Sequence, residues 1–265
     1  MLFRSNLDLN FYVAADETAL ETTQISLTVG ADTQTLSLSD GIYDAATGNY
    51  KFSAPLAAAQ MTEPVTFTLT VGQAVLETGS YTVRGYADSI LSGSYSDETK
   101  NLVKEMLNYG GYAQLYFDCN TDDLAHTDIR DAGLQAVPEQ AEMSMEDSSN
   151  VLDLYGASLV FRSRIAVRLY VTGDVKGCSF TINGVPAEVT EKDGKHYVEL
   201  ADILPQDLDE AITVVATDAA GDTLTVTYSP MDYMVRMNRR GSKTLQDLVK
   251  AMYNYHLAAE EYLAA

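Results

Sequence analysis

The chain has 265 residues, of which 17 are basic and 38 acidic, for a formal net charge of −21; tryptophan is absent and tyrosine occurs 17 times. Such an acidic surface repels phosphate backbones and anionic lipid, so it argues against a nucleic-acid partner and against binding to acidic membranes. No apolar run reaches the roughly 18 residues a membrane-spanning helix needs, so no membrane insertion is expected.

Along the chain, residues 6–13 alternate: Leu7, Leu9, Phe11 and Val13 point one way, and Asn6, Asp8, Asn10 and Tyr12 the other. Period two over eight residues predicts a half-buried strand of an antiparallel sheet. Further strands are expected at 24–29, 34–38, 50–52, 65–71 and 74–81. The period then becomes helical. Thr82 is a capping residue for a helix to about Leu91, and a second helix is expected over 97–117.

The pattern then repeats. Residues 102–117 read LVKEMLNYGGYAQLYF and residues 248–263 read LVKAMYNYHLAAEEYL; FRSNLDLNFYV at 3–13 is answered by FRSRIAVRLYV at 161–171. Between the second pair lie strand-like segments at 178–182, 185–190, 195–200, 211–217 and 223–228, with Asn183-Gly184 and Asp193-Gly194 as hairpin turns. Ser229-Pro230 opens a short helix that Gly241 ends, and Ser242 caps a long one to about Ala264. Leu102, Met106, Tyr109, Ala113 and Tyr116 form one helical stripe, and Leu248, Met252, Tyr255, Ala259 and Tyr262 its counterpart. Such a stripe must bury itself.

The expected fold is therefore α+β, mainly β: two tandem copies of an antiparallel β-sandwich followed by a two-helix hairpin, at 1–118 and 155–265. Between them, 119–154 reads as an acidic linker containing Gly133 and Pro138, mostly irregular, with a solvated run at 139–150. In the second copy Tyr155-Gly156-Ala157-Ser158 precedes a strand running from Leu159 to Arg162, whereas Met1-Leu2 stands immediately before the matching Phe3-Arg4. The first copy is thus expected to begin inside a strand, as an excised piece of a longer chain would.

The run Tyr81-Thr82-Val83-Arg84-Gly85-Tyr86, the helix motif at 102–117 and the strand opening at Gly156-Ala157-Ser158-Leu159 together resemble a repeat module of large secreted or wall-attached proteins of anaerobic gut bacteria. The second copy departs from that pattern, with Ser229-Pro230-Met231-Asp232 replacing TVRG and His256 replacing Gly110. The resemblance implies an extracellular or cell-surface location and a multidomain parent. It carries over no catalytic residues.

Residues that could carry chemistry are few. His126, His196 and His256 have no metal-ligand spacing to one another and no CxxC occurs, so no zinc site is expected. A Cys119–Cys178 disulfide is open to either outcome, since spacing cannot show geometry. Asp122-Asp123, Glu146-Asp147 and Asp207/Asp209/Glu210 are the densest carboxylates; they read as solvated loop charge, with calcium as the alternative ligand and a glycoside-active enzyme as the distant one. Tyr12 and Tyr170 occupy matching outward positions on the alternating strand, and Arg168 shares the face of Tyr170; the three form a candidate sugar-stacking platform. Asn108 and Asn254 recur mid-helix and are expected to tie the helix to a sandwich loop, with Gly110 permitting close backbone approach. Arg236, Arg239, Arg240 and Lys243 read as a solvated basic cluster. The function expected is a noncatalytic spacer, scaffold or adhesion segment of a bacterial surface protein, monomeric within a longer chain; a carbohydrate-binding module is the alternative. Polysaccharide or a surface protein would be its partner.

Overall fold

The computed structural model describes residues 7–14, 21–126, 134–161 and 164–265. The readings that fell on residues 1–6, on Gly133 and on Arg162 lie outside the described residues. The chain divides into two compact units, one spanning Asn6–Ile129 and the other Arg130–Ala265 together with Met1–Ser5. The fold is α+β and mainly β, with sixteen strands in four antiparallel sheets and four α-helices among the described residues.

The first unit holds β1 (Leu7–Ala14), β2 (Thr23–Val29), β3 (Asp32–Ser37), β4 (Ile42–Asp44), β5 (Asn49–Leu56), β6 (Val65–Val71) and β7 (Ala74–Tyr81), then α1 (Val83–Ser92) and α2 (Asp97–Phe117). One sheet has the order β1-β5-β4 and the other β3-β2-β6-β7. Alternation in β2, β5 and β6 buries Ile25, Leu27, Phe52, Ala54, Leu56, Val65 and Phe67 as the core. Thr82 caps α1 by accepting from the Gly85 N–H, and Ser96 caps α2 by accepting from the Thr99 N–H.

The stripe on α2 is buried at Leu102, Met106, Tyr109 and Ala113. Its partners are α1 and the 3-10 turn Ala58–Gln60, which follows β5. A Cβ at Gly110 would collide with the Met61 sulfur and stand 3.1 Å from the Ala58 carbonyl oxygen. Glycine is thus required for the close approach of helix and turn.

The second unit holds β8 (Ser144–Asp147), β9 (Leu152–Phe161), β10 (Ile165–Gly173), β11 (Ser179–Ile182), β12 (Val185–Pro186), β13 (Thr190–Lys192), β14 (Lys195–Ile203), β15 (Ile212–Thr217) and β16 (Thr223–Tyr228), then α3 (Pro230–Arg240) and α4 (Lys243–Ala264). Its sheets run β13-β14-β10-β9 and β12-β11-β15-β16-β8. The Asn183-Gly184 turn has φ of 50° and 78°, the positive pair a type I′ hairpin demands. Here too the long helix packs on the short one and on a 3-10 turn, Pro205–Asp207.

The segment read as an irregular linker is folded at both ends. Residues 118–126 close onto the first unit. Gln114, fully buried, donates from Nε2 to the carbonyls of Asn120 (3.2 Å) and Asp123 (2.9 Å), and its Oε1 accepts from the Ala125 N–H at 2.8 Å. Residues 134–161 belong to the second unit. Glu146 and Asp147 are exposed, as expected of a solvated run, but their backbone is regular: they lie in β8, where Leu224 faces Asp147 and Val226 faces Met145. Asp232, at the third position of α3, accepts from the Glu142 N–H at 2.6 Å and the Met143 N–H at 3.1 Å. The acidic composition misled because a peripheral strand pairs through its backbone, whatever its side chains carry.

Candidate functional site

The sequence-derived platform separates into two unlike environments. Tyr12 is 52% exposed, on the outward face of β1 opposite Lys51. Tyr170 is half-buried, facing Tyr197 across β10 and β14 with ring centroids 5.3 Å apart. Arg168 is only 8% exposed: its Nε donates to Glu199, and its guanidinium lies 4.5 Å from the Tyr197 ring centroid. Burial works against its charge, but the hydrogen bonds to Glu199 and Tyr170 and the Glu199 charge outweigh it and raise its pKa. Arg168 therefore departs from the expected open position, because its charge is satisfied within the sheet.

Beside β1 the first unit is indented. A groove of about 550 Å³ runs between the two sheets, lined by Phe11 of β1, Phe67 and Leu69 of β6, Glu77 and Tyr81 of β7, and Tyr86 of α1. Tyr81 stacks on Phe67 at 6.0 Å, and Phe11 lies 5.4 Å from Phe67. Tyr81 and Tyr86 are exposed at the rim.

β1 pairs with β5, the strand that leads into the 3-10 turn Ala58–Gln60, and β10 pairs with β14, which leads into Pro205–Asp207. β10 also carries β9 on its other edge, Leu159 facing Val167, and β16 carries β8. With 161–171 aligned on 3–13, the counterparts of β8 and of residues 152–158 would precede Met1.

A second pocket, about 320 Å³, lies in the second unit and is lined by Glu142, Asp209, Met231, Tyr253, His256 and Glu260 among others. Ligand atoms of Asp209, His256 and Glu260 all lie within 4.8 Å of one another. His256 is 2% exposed, and its Nδ1 lies 2.8 Å from the Pro205 carbonyl oxygen. That carbonyl can only accept, so Nδ1 carries a proton, and Nε2 is directed at Glu260 Oε2, 3.6 Å away. Asp209 follows the 3-10 turn, where Leu208 is fully buried and its carbonyl accepts from the Met231 N–H at 2.8 Å. Of these three residues only Asp209 and Glu260 are exposed.

Sequence reasoning did not assemble this group. It sought histidine pairs and cysteine pairs and passed over the His256–Glu260 spacing of four, which places both on one helix face. Asp209 is brought in by the turn against which α4 packs. Asn254, expected to reach a sandwich loop, instead bonds the backbone of Gln135 at 3.1 Å and 3.3 Å. Asn108 donates to Glu105 on its own helix. Both cysteines are free. Arg236, Arg239, Arg240 and Lys243 are outside the core, Lys243 pairing with Asp247.

No family model matches the chain, and no curated protein does. Among solved structures, a fragment of Extended-Synaptotagmin 2 made of two C2 domains is similar at 9% identity, covering 91% of this chain and 80% of that one, with a TM-score of 0.25. A likeness that slight carries no argument about function.

Proposed function

We propose that the chain is a noncatalytic extracellular module of a bacterial surface protein, two copies of one plan that serve as spacer, scaffold or adhesion segment. The shared helix motif and the resemblance it carries support the location and the modular character. The same order of strands, 3-10 turn, short helix and long helix in both units supports the duplication.

The observation that carries the reading is the repeated plan: each unit runs from its sheets through a 3-10 turn to a short and a long helix, and in each the long helix packs on that turn and on the short helix. Repeated units that each bury their own core suit a spacer or scaffold.

The test is an array of glycans and surface proteins probed with the full chain. The reading expects no hydrolysis of any arrayed glycan and no glycan retention that Tyr12→Ala abolishes. Turnover of a glycan contradicts it, and retention lost on Tyr12→Ala would replace it with the carbohydrate-binding reading.

A further inference from the structure

We propose that Asp209, His256 and Glu260 form a binding site for one divalent transition ion of the zinc class, present in the second unit only. The inference rests on the second unit's own side chains and stands without the reading above.

The donor set is mixed. A buried imidazole nitrogen and two carboxylates suit zinc and its neighbours, whereas calcium prefers six to eight oxygens and magnesium a shell of oxygens and water. Zinc bonds of about 2.0–2.2 Å in tetrahedral array place ligand atoms roughly 3.4 Å apart. The 3.6 Å between His256 Nε2 and Glu260 Oε2 already approaches that. Asp209 closes within the 4.8 Å limit, and rotation of an exposed carboxylate can shorten that further.

The imidazole is held as a ligand must be. Its Nδ1–H donates to the Pro205 carbonyl, which fixes the ring and leaves Nε2 as the free donor atom. Metal-bound histidines almost always carry such an outer hydrogen bond. His256 is also clamped by burial in α4, so its donor atom is positioned before any ion arrives. Three protein ligands leave a fourth place for water or a partner's group.

The first unit provides the internal comparison. The Met231 N–H bond to the Leu208 carbonyl has its counterpart in the Arg84 N–H bond to the Met61 carbonyl, at 2.9 Å. With the long helices aligned by their shared motif, Asp209, His256 and Glu260 fall on Thr62, Gly110 and Gln114. There the framework is neutral and self-satisfied: Gln114 Nε2 donates to Thr62 Oγ1 at 3.1 Å, and Thr62 Oγ1 donates to the Asp123 carbonyl at 3.0 Å. The same geometry thus brings the two outer positions together in both units, at 3.1 Å in the first and within 4.8 Å in the second. Only the second unit places metal-ligating side chains at all three, around an accessible pocket.

The test uses the full chain with Cys119→Ser and Cys178→Ser, which removes thiol binding elsewhere. The chelator-stripped protein is titrated with Zn2+ against a chromophoric chelator, and with Co2+ by visible absorption. The proposal expects one ion per chain and a ligand-field band from Co2+. Glu260→Gln and Asp209→Asn each weaken binding at least tenfold, while the metal-free melting temperature of these exposed-site variants stays near that of the parent. Less than one equivalent bound, equal affinity in parent and both variants, or displacement of Zn2+ by millimolar Ca2+ would overturn it.

Discussion

Asp232 gives the sharpest test of the second unit's boundary. Its Oδ1 accepts from the N–H groups of Glu142 (2.6 Å) and Met143 (3.1 Å), and its Oδ2 from the Ser229 N–H (2.8 Å) and hydroxyl (3.1 Å). One carboxylate, 5% exposed, therefore both caps α3 and anchors the segment leading into β8. The cap alone is worth about 1 kcal/mol. A hydrogen bond to a charged group contributes roughly 1.5–3 kcal/mol, and bonds sharing one carboxylate do not add in full. Asp232→Ala should thus cost about 3–5 kcal/mol, and Ser229→Ala, which spares the anchor, about 1 kcal/mol. Urea unfolding at neutral pH measures both, and amide exchange over 142–147 reads the anchor directly. If Asp232→Ala costs no more than Ser229→Ala and leaves that exchange unchanged, the segment is a tether after all and the reasoning fails.

Three further outcomes are expected. Gly111→Ala places a Cβ 2.5 Å from His126 Cγ, inside the buried contact of α2 with residues 118–126, and should cost roughly 1–3 kcal/mol in a thermal melt. Arg168→Ala leaves Glu199 without its partner and should lower stability by roughly 1–3 kcal/mol while leaving retention on polysaccharide columns unchanged. Burial opposes the charge on Asp218, but the N–H groups of Asp222 and Ala220 and the Ser149 hydroxyl outweigh it and hold its carboxyl below the ordinary range. A depressed folded pKa gives stability that is present above the unfolded value and lost as pH falls through the folded one. The stability gap between parent and Asp218→Asn should therefore be full at neutral pH and close below pH 3.8, read by urea midpoints across an acid series.

Much of the fold was legible because regular elements leave periodic traces. The capping residues Thr82, Ser96, Ser229 and Ser242 and the helical stripes place four helices whose ends the structure keeps nearly unchanged. Strands β2, β6, β7 and β16 fall where alternation puts them. What was not legible is what alternation cannot mark. In β8 every residue is exposed, so no buried face exists for a pattern to reveal. β4 has three residues, too few for a period, and a bulge at Tyr170/Val171 shifts the β9–β10 register. The metal-ligating group was hidden because its third member comes from a turn far upstream. Arg168 was misplaced because a sequence shows which face a residue takes but not the Glu199 and Tyr197 that enclose it there.

The central claim is that both units follow one plan, each sealed by the striped face of its long helix against a 3-10 turn and a short helix. Hydrogen exchange of the full chain, resolved to α2 and α4, addresses it most directly. Slow exchange along both buried stripes, at Leu102, Val103, Met106 and Leu107 and at Leu248, Val249 and Met252, is the predicted result. Fast exchange through either stripe would contradict the account.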